Sequence, residues 1–106
     1  MALHEKYDLK NRIKINRDCR LYVYIGVINI SRGVNVILEA FQRCDKNNHI
    51  LFLGFGDVEQ INEVAFINSN IHYMKPVPPM ELINFISTAD VGIHMMDSSN
   101  LNHKKA

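Results

Sequence analysis

The residues best suited to chemistry in this 106-residue chain lie between two glycines, in the segment Gly26-Val27-Ile28-Asn29-Ile30-Ser31-Arg32-Gly33. Glycine permits positive φ and close backbone approach. Ser31 and Arg32 put a hydroxyl and a guanidinium where a helix would begin, and the guanidinium pairs with phosphate oxygens through its planar fork. The unpaired amides of a helix start add partial positive charge at the same place. The segment suits an anion. It equally suits a tight strand-to-helix turn with a solvated arginine, and at this level both readings stand.

Three further segments carry polar groups or unusual backbone. In Gly54-Phe55-Gly56-Asp57 the glycines permit a turn while Asp57 caps the helix that follows. Neither glycine pair continues into Gly-x-Gly-x-x-Gly, and no Gly-Lys-Ser/Thr occurs, so dinucleotide and P-loop fingerprints are excluded. Lys75-Pro76-Val77-Pro78-Pro79 holds its backbone stiffly. Backbone groups at Pro76 and Val77 could then pair with the edge of a base, or the prolines simply separate two elements. In the tail from Asp97 to Lys105, Ser98 and Asn100 belong to a run of hydroxyl, amide and cationic groups able to hold sugar or phosphate oxygens, or to a frayed end.

His94 stands near the end of a strand, as an acid, a base or a donor in a cleft, or as a packed neighbour of Met95 and Met96. His4, His49, His72 and His103 form no His-x-x-x-His or carboxylate-bearing pattern, so no metal site is expected. No Ser or Cys stands in a nucleophile elbow. No catalytic residue is assigned.

These loops need elements to position them. Leu21 to Val27, His49 to Gly54, Asn70 to Met74 and Asp90 to Met96 read as strands. Val34, Ile37, Leu38, Phe41 and Cys44 form one helical face and predict a helix over Gly33 to Cys44. Val58, Ile61 and Ala65 mark a second helix, with Asp57 and Gln60 spaced as a capping box. Leu82, Phe85, Ile86 and Ala89 mark a third, with Pro79 at its first position and Glu81 in its first turn. Strands alternating with helices predict a Rossmann-like parallel α/β sheet of about four strands. In such sheets ligands bind beyond the carboxyl ends of the strands, which is where all four segments fall.

Composition narrows the classes further. Hydrophobic residues make up 47% and charged residues 22%, an ordinary globular balance. A net charge of +1 gives no footprint for nucleic acid. Residues 1–20 are locally basic, with Lys6, Lys10, Arg12, Lys14, Arg17 and Arg20 against Glu5, Asp8 and Asp18, and read as a linker or N-terminal helix ahead of a domain over 21–106. That basic stretch also suits an anionic membrane surface. Cys19 and Cys44 match neither metal nor redox spacing and read as reduced thiols. Without a signal-peptide core or an apolar run of roughly 18 residues, the expected location is cytoplasmic, with the inner face of the membrane also open to the parent protein.

Read together, the segments resemble the C-terminal, donor-binding domain of retaining GT-B glycosyltransferases of the group 1 type. Tyr24-Ile25-Gly26, Arg32-Gly33-Val34 and Ile37-Leu38-Glu39-Ala40-Phe41 resemble that domain's first strand, glycine loop and helix. Leu53-Gly54-Phe55-Gly56 is similar to its Gly-x-Gly turn, and Asn70-Ile71-His72-Tyr73 to its next strand. Pro79-Met80-Glu81-Leu82 and Ala89-Asp90-Val91 are similar to the helix and strand that follow. The looser Ser98-Ser99-Asn100-Leu101-Asn102 resembles enzymes that build capsular and other surface polysaccharides.

The resemblance implies a nucleotide-sugar donor as substrate, a glycan acceptor for the full-length enzyme, and no cofactor. Gly26, Asn29, Ile30, Ser31, Arg32 and Gly33 would face the sugar and diphosphate, with Gly54, Ser98 and Asn100 nearby and Pro76 and Val77 at the base. Arg32 would neutralise phosphate charge, and the lack of an Asp-x-Asp motif agrees with chemistry that needs no metal. Val27 replaces a basic residue common in the family, Lys75 a glycine, and Met95-Met96 a Pro-Ser pair. The family's glutamate-bearing segment would follow Ala106, so the chain is expected to be a piece of a longer enzyme, inactive alone and prone to self-association. Two alternatives share these residues: a small non-catalytic module that binds nucleotide or phosphate, and a nucleotide-sugar epimerase.

Overall fold

Alternation along the strands divides the apolar side chains between two faces, and each face acquires its own helices. The computed structural model describes residues 8–94, with the His94 side chain outside that description. Strand β1 spans Arg20–Ile25, β2 Asn48–Leu53, β3 Ile71–Met74 and β4 Val91–His94. They form one four-stranded, all-parallel sheet in the order β3-β2-β1-β4. Helix α1 spans Leu9–Arg12, α2 Val34–Arg43, α3 Val58–Ile67 and α4 Pro79–Ile86, and a 3-10 turn over Ile30–Arg32 precedes α2. The Rossmann-like reading of the sequence is what the backbone shows.

On one face Tyr24, Ile50, Phe52 and Ile71 pack against Val34, Leu38 and Phe41 of α2 and Ile61 of α3. On the other, Leu21, Val23, Leu51 and Leu53 pack against Leu9 of α1 and Phe85 of α4. Full burial of an aliphatic or aromatic side chain stabilises by about 1.5–3 kcal/mol, so both layers contribute.

Residues 8–13 are tied to the domain more closely than a linker requires. Leu9 is fully buried, its amide donates to Thr88 Oγ1 at 3.1 Å, and Lys10 is 8% exposed. Lys10 Nζ meets Asp90 Oδ2 at 3.0 Å, and the same oxygen accepts the Leu21 amide at 2.7 Å. The bond to the Leu21 amide, together with Lys10, outweighs burial and holds the Asp90 carboxyl below its ordinary range. A buried ammonium therefore joins the N-terminal segment to the turn before β4.

The sheet differs from the expectation at its carboxyl edge. Gly26 has φ 136° and ends β1, so Val27 lies outside the strand and is 70% exposed. Met95 and Met96, expected at the end of the last strand, lie outside the described residues.

Candidate functional site at the carboxyl edge of the sheet

The strand order reverses at β1, which has β2 on one side and β4 on the other. Open α/β sheets bind ligands outside the carboxyl ends near such a reversal. The two glycine loops meet at that edge. The Gly26 amide donates to Leu53 O at 3.2 Å, the Ile28 amide to Phe55 O at 2.6 Å, and the Asp57 amide to Ile28 O at 2.8 Å. A Cβ on Gly54 would lie 1.8 Å from Gly26 O, and one on Gly56 2.1 Å from Ile28 O. The glycines of the second loop therefore do more than permit a turn: they let two backbones run side by side.

Asp57 completes the join. Its Oδ2 accepts the Ile30 amide at 2.9 Å, and it makes no side-chain bond to the start of α3. The capping-box expectation is corrected here, since the carboxylate serves the neighbouring loop. Asn29 Oδ1 accepts from the Ser31 amide at 3.1 Å and from Ser31 Oγ at 2.8 Å, which shapes the 3-10 turn. Gly33, at φ 107°, turns the chain into α2. Arg32 is exposed and makes no ion pair among the described residues.

Beside the joined loops lies a pocket of about 250 Å³. Three stretches line it: Ile25, Gly26 and Val27 at the end of β1, Leu53, Gly54 and Phe55 at the end of β2, and Pro76, Val77 and Leu82 after β3. Phe55, one of the lining residues, is 72% exposed. Tyr73 Oη donates to Gly54 O at 3.0 Å and Tyr24 Oη to Val27 O at 2.6 Å, so each loop is held by a tyrosine hydroxyl. Burial raises the Tyr24 pKa, which keeps its hydroxyl a donor. The lining is apolar, as ligand pockets largely are.

Of the residues nominated from sequence, Gly26, Gly54, Pro76 and Val77 line this pocket together. Asn29, Ile30, Ser31, Arg32 and Gly33 do not line it; they form the turn that leads to α2 on the opposite face of the sheet. Ser98 and Asn100 lie outside the described residues. The His94 backbone pairs with Ile25, which borders the pocket. Phe55, Val27 and Leu82 carry no individual site role in the sequence reading; an aromatic between two glycines is the available signal for Phe55. Among the described residues, no group of three or more His, Cys, Asp or Glu could hold a metal ion, and no helix is long and apolar enough to cross a membrane.

The chain matches no protein-family model and no curated protein.

Proposed function

We propose that this chain carries the nucleotide-sugar-binding site of a GT-B-type glycosyltransferase. The observation that carries the reading is the meeting of Gly26, Gly54, Pro76 and Val77, nominated from three separate segments, around one apolar pocket at the carboxyl edge of a parallel sheet. A base or ribose would lie against Phe55 and Val77. The diphosphate would run toward Arg32 and the start of α2, where a cation and unpaired helix amides favour negative charge. In sugar transfer to a glycan hydroxyl, the same groups would stabilise the charge that develops on the departing nucleoside diphosphate.

Calorimetric titration with uridine, uridine diphosphate and guanosine diphosphate tests the reading. Nucleoside diphosphate should bind the wild-type chain, and Arg32→Ala should weaken it about tenfold, the effect of losing one charge-assisted contact of about 1.4 kcal/mol, while leaving the nucleoside unaffected. Absence of binding by every nucleotide tested would contradict it.

A further inference from the structure

His49 of β2 and the half-buried His72 of β3 lie on one face of the sheet, because Leu51 is the register partner of His72 and His49 precedes Leu51 by one pleat repeat. His49 Nδ1 and His72 Nε2 are 2.9 Å apart, with the ring planes inclined by 18°. The ring centroids are 5.1 Å apart, a separation larger than the nitrogen distance by nearly two ring radii. The two nitrogens therefore point at one another in nearly a common plane. Such a contact needs a hydrogen on one of them and a lone pair on the other, so one proton is held between the rings. A metal ion does not fit in line there, because two metal–nitrogen bonds of about 2.0–2.1 Å each exceed the gap.

A second proton places N–H against N–H and breaks the contact. The surroundings oppose that proton: burial lowers the His49 pKa, and burial followed by the charge of His49 lowers that of His72 to about 4. The elements over this face bring Asp8, Lys10, Arg12 and Lys14 in and around α1, and Glu81 on α4. Asp8 pairs with Arg17, Lys10 with Asp90, and the Arg12 guanidinium lies 5.4 Å from the Phe85 ring centre. Among the described residues, His49 is the one charged group that acts on His72.

The pair sits where a small change can travel. Among the described residues, β3 is a four-residue edge strand paired only with β2, and it leads directly into the segment that carries Pro76 and Val77.

We propose that the His49–His72 hydrogen bond is a one-proton latch. With a single shared proton it pins β3 to β2 and keeps the Pro76–Val77 wall in place; a second proton frees β3 and opens that side of the pocket. The latch operates whatever the pocket binds.

Imidazole nitrogen NMR of the intact chain tests the first half, since one shared proton predicts scalar coupling between His49 Nδ1 and His72 Nε2 at neutral pH. Absence of that coupling overturns the proposal, and the measurement needs no variant to fold. For the second half, amide exchange is compared between pH 7 and pH 4.5 after correction for intrinsic rates. Protection at residues 71–74 should fall at least tenfold more than protection in β1. His72→Gln, which keeps a polar partner for His49 but cannot accept the second proton, should remove that difference. Equal loss across the sheet, or the same selective loss in His72→Gln, overturns the latch.

Discussion

Gly54 stands so close to Gly26 that a Cβ on it would lie 1.8 Å from the Gly26 carbonyl oxygen. That contact is between backbones, so a rotamer change cannot relieve it. One loop must move, and with it the pocket wall that both residues share.

Gly54→Ala should therefore destabilise the fold by about 3 kcal/mol, the upper part of the range for overpacking. Gly92→Ala is the control: among the described residues nothing lies within 4 Å of its added Cβ, and the change should stay within about 0.5 kcal/mol. Urea denaturation of the two variants checks the contrast. Similar midpoints would show that the loops separate readily.

Asp57→Ala should cost about 1–2 kcal/mol, because it leaves the Ile30 amide without its acceptor. Asp57→Asn should restore most of that through its amide oxygen. Amide exchange at Ile30 reports directly, with fast exchange in the alanine variant and protection in the asparagine variant. If exchange at the start of α3 changes instead, the carboxylate is serving its own helix.

Asp90→Ala should cost about 2–3 kcal/mol, since the Leu21 amide loses its acceptor and Lys10 is left with an uncompensated charge. Lys10→Met combined with Asp90→Asn should recover part of the loss by removing the buried charge while keeping an acceptor for Leu21. Thermal unfolding of the single and double variants checks this. Additive losses would show that Lys10 and Asp90 act independently.

Stability should fall as pH is lowered from about 6.5 to about 4. The His72 pKa is lowered to about 4 in the folded chain from an ordinary 6.5, so between those values the unfolded chain binds more protons. The contribution is fully present above pH 6.5 and fully lost below about pH 4. Its size should be about 1–2 kcal/mol, less than the whole shift implies, because His72 is half-buried and solvent screens it. His72→Gln should flatten this part of the profile, measured by denaturation at fixed ionic strength.

What could be read from sequence follows from the range of each signal. Leu38 and Phe41 announce the buried face of α2 because helical periodicity is local, and Gly26 and Pro79 mark a strand end and a helix start through their own backbone preferences. Asp57 reads as a cap because a cap and a cross-loop bond look alike in sequence; the choice depends on where Ile30 lies in space. His49 and His72 lie 23 positions apart, and only the register of β2 with β3 brings them together. Leu9 and Thr88 are 79 positions apart, and a four-residue helix is too short to display a face. The glycine segments pointed to the pocket, but separating Arg32 from its lining required the path of the chain into α2.

The pocket beside the joined glycine loops is proposed to take the nucleotide end of a nucleotide-sugar. Backbone NMR titration of the intact chain with uridine and guanosine diphosphates reports on that pocket residue by residue. Saturable shifts are expected at residues 26–33, 54–56 and 77, with β3 and the surface of α2 around Glu39 and Arg43 unmoved at neutral pH. Saturable shifts centred on that α2 surface, or no shifts with any nucleotide, would contradict it.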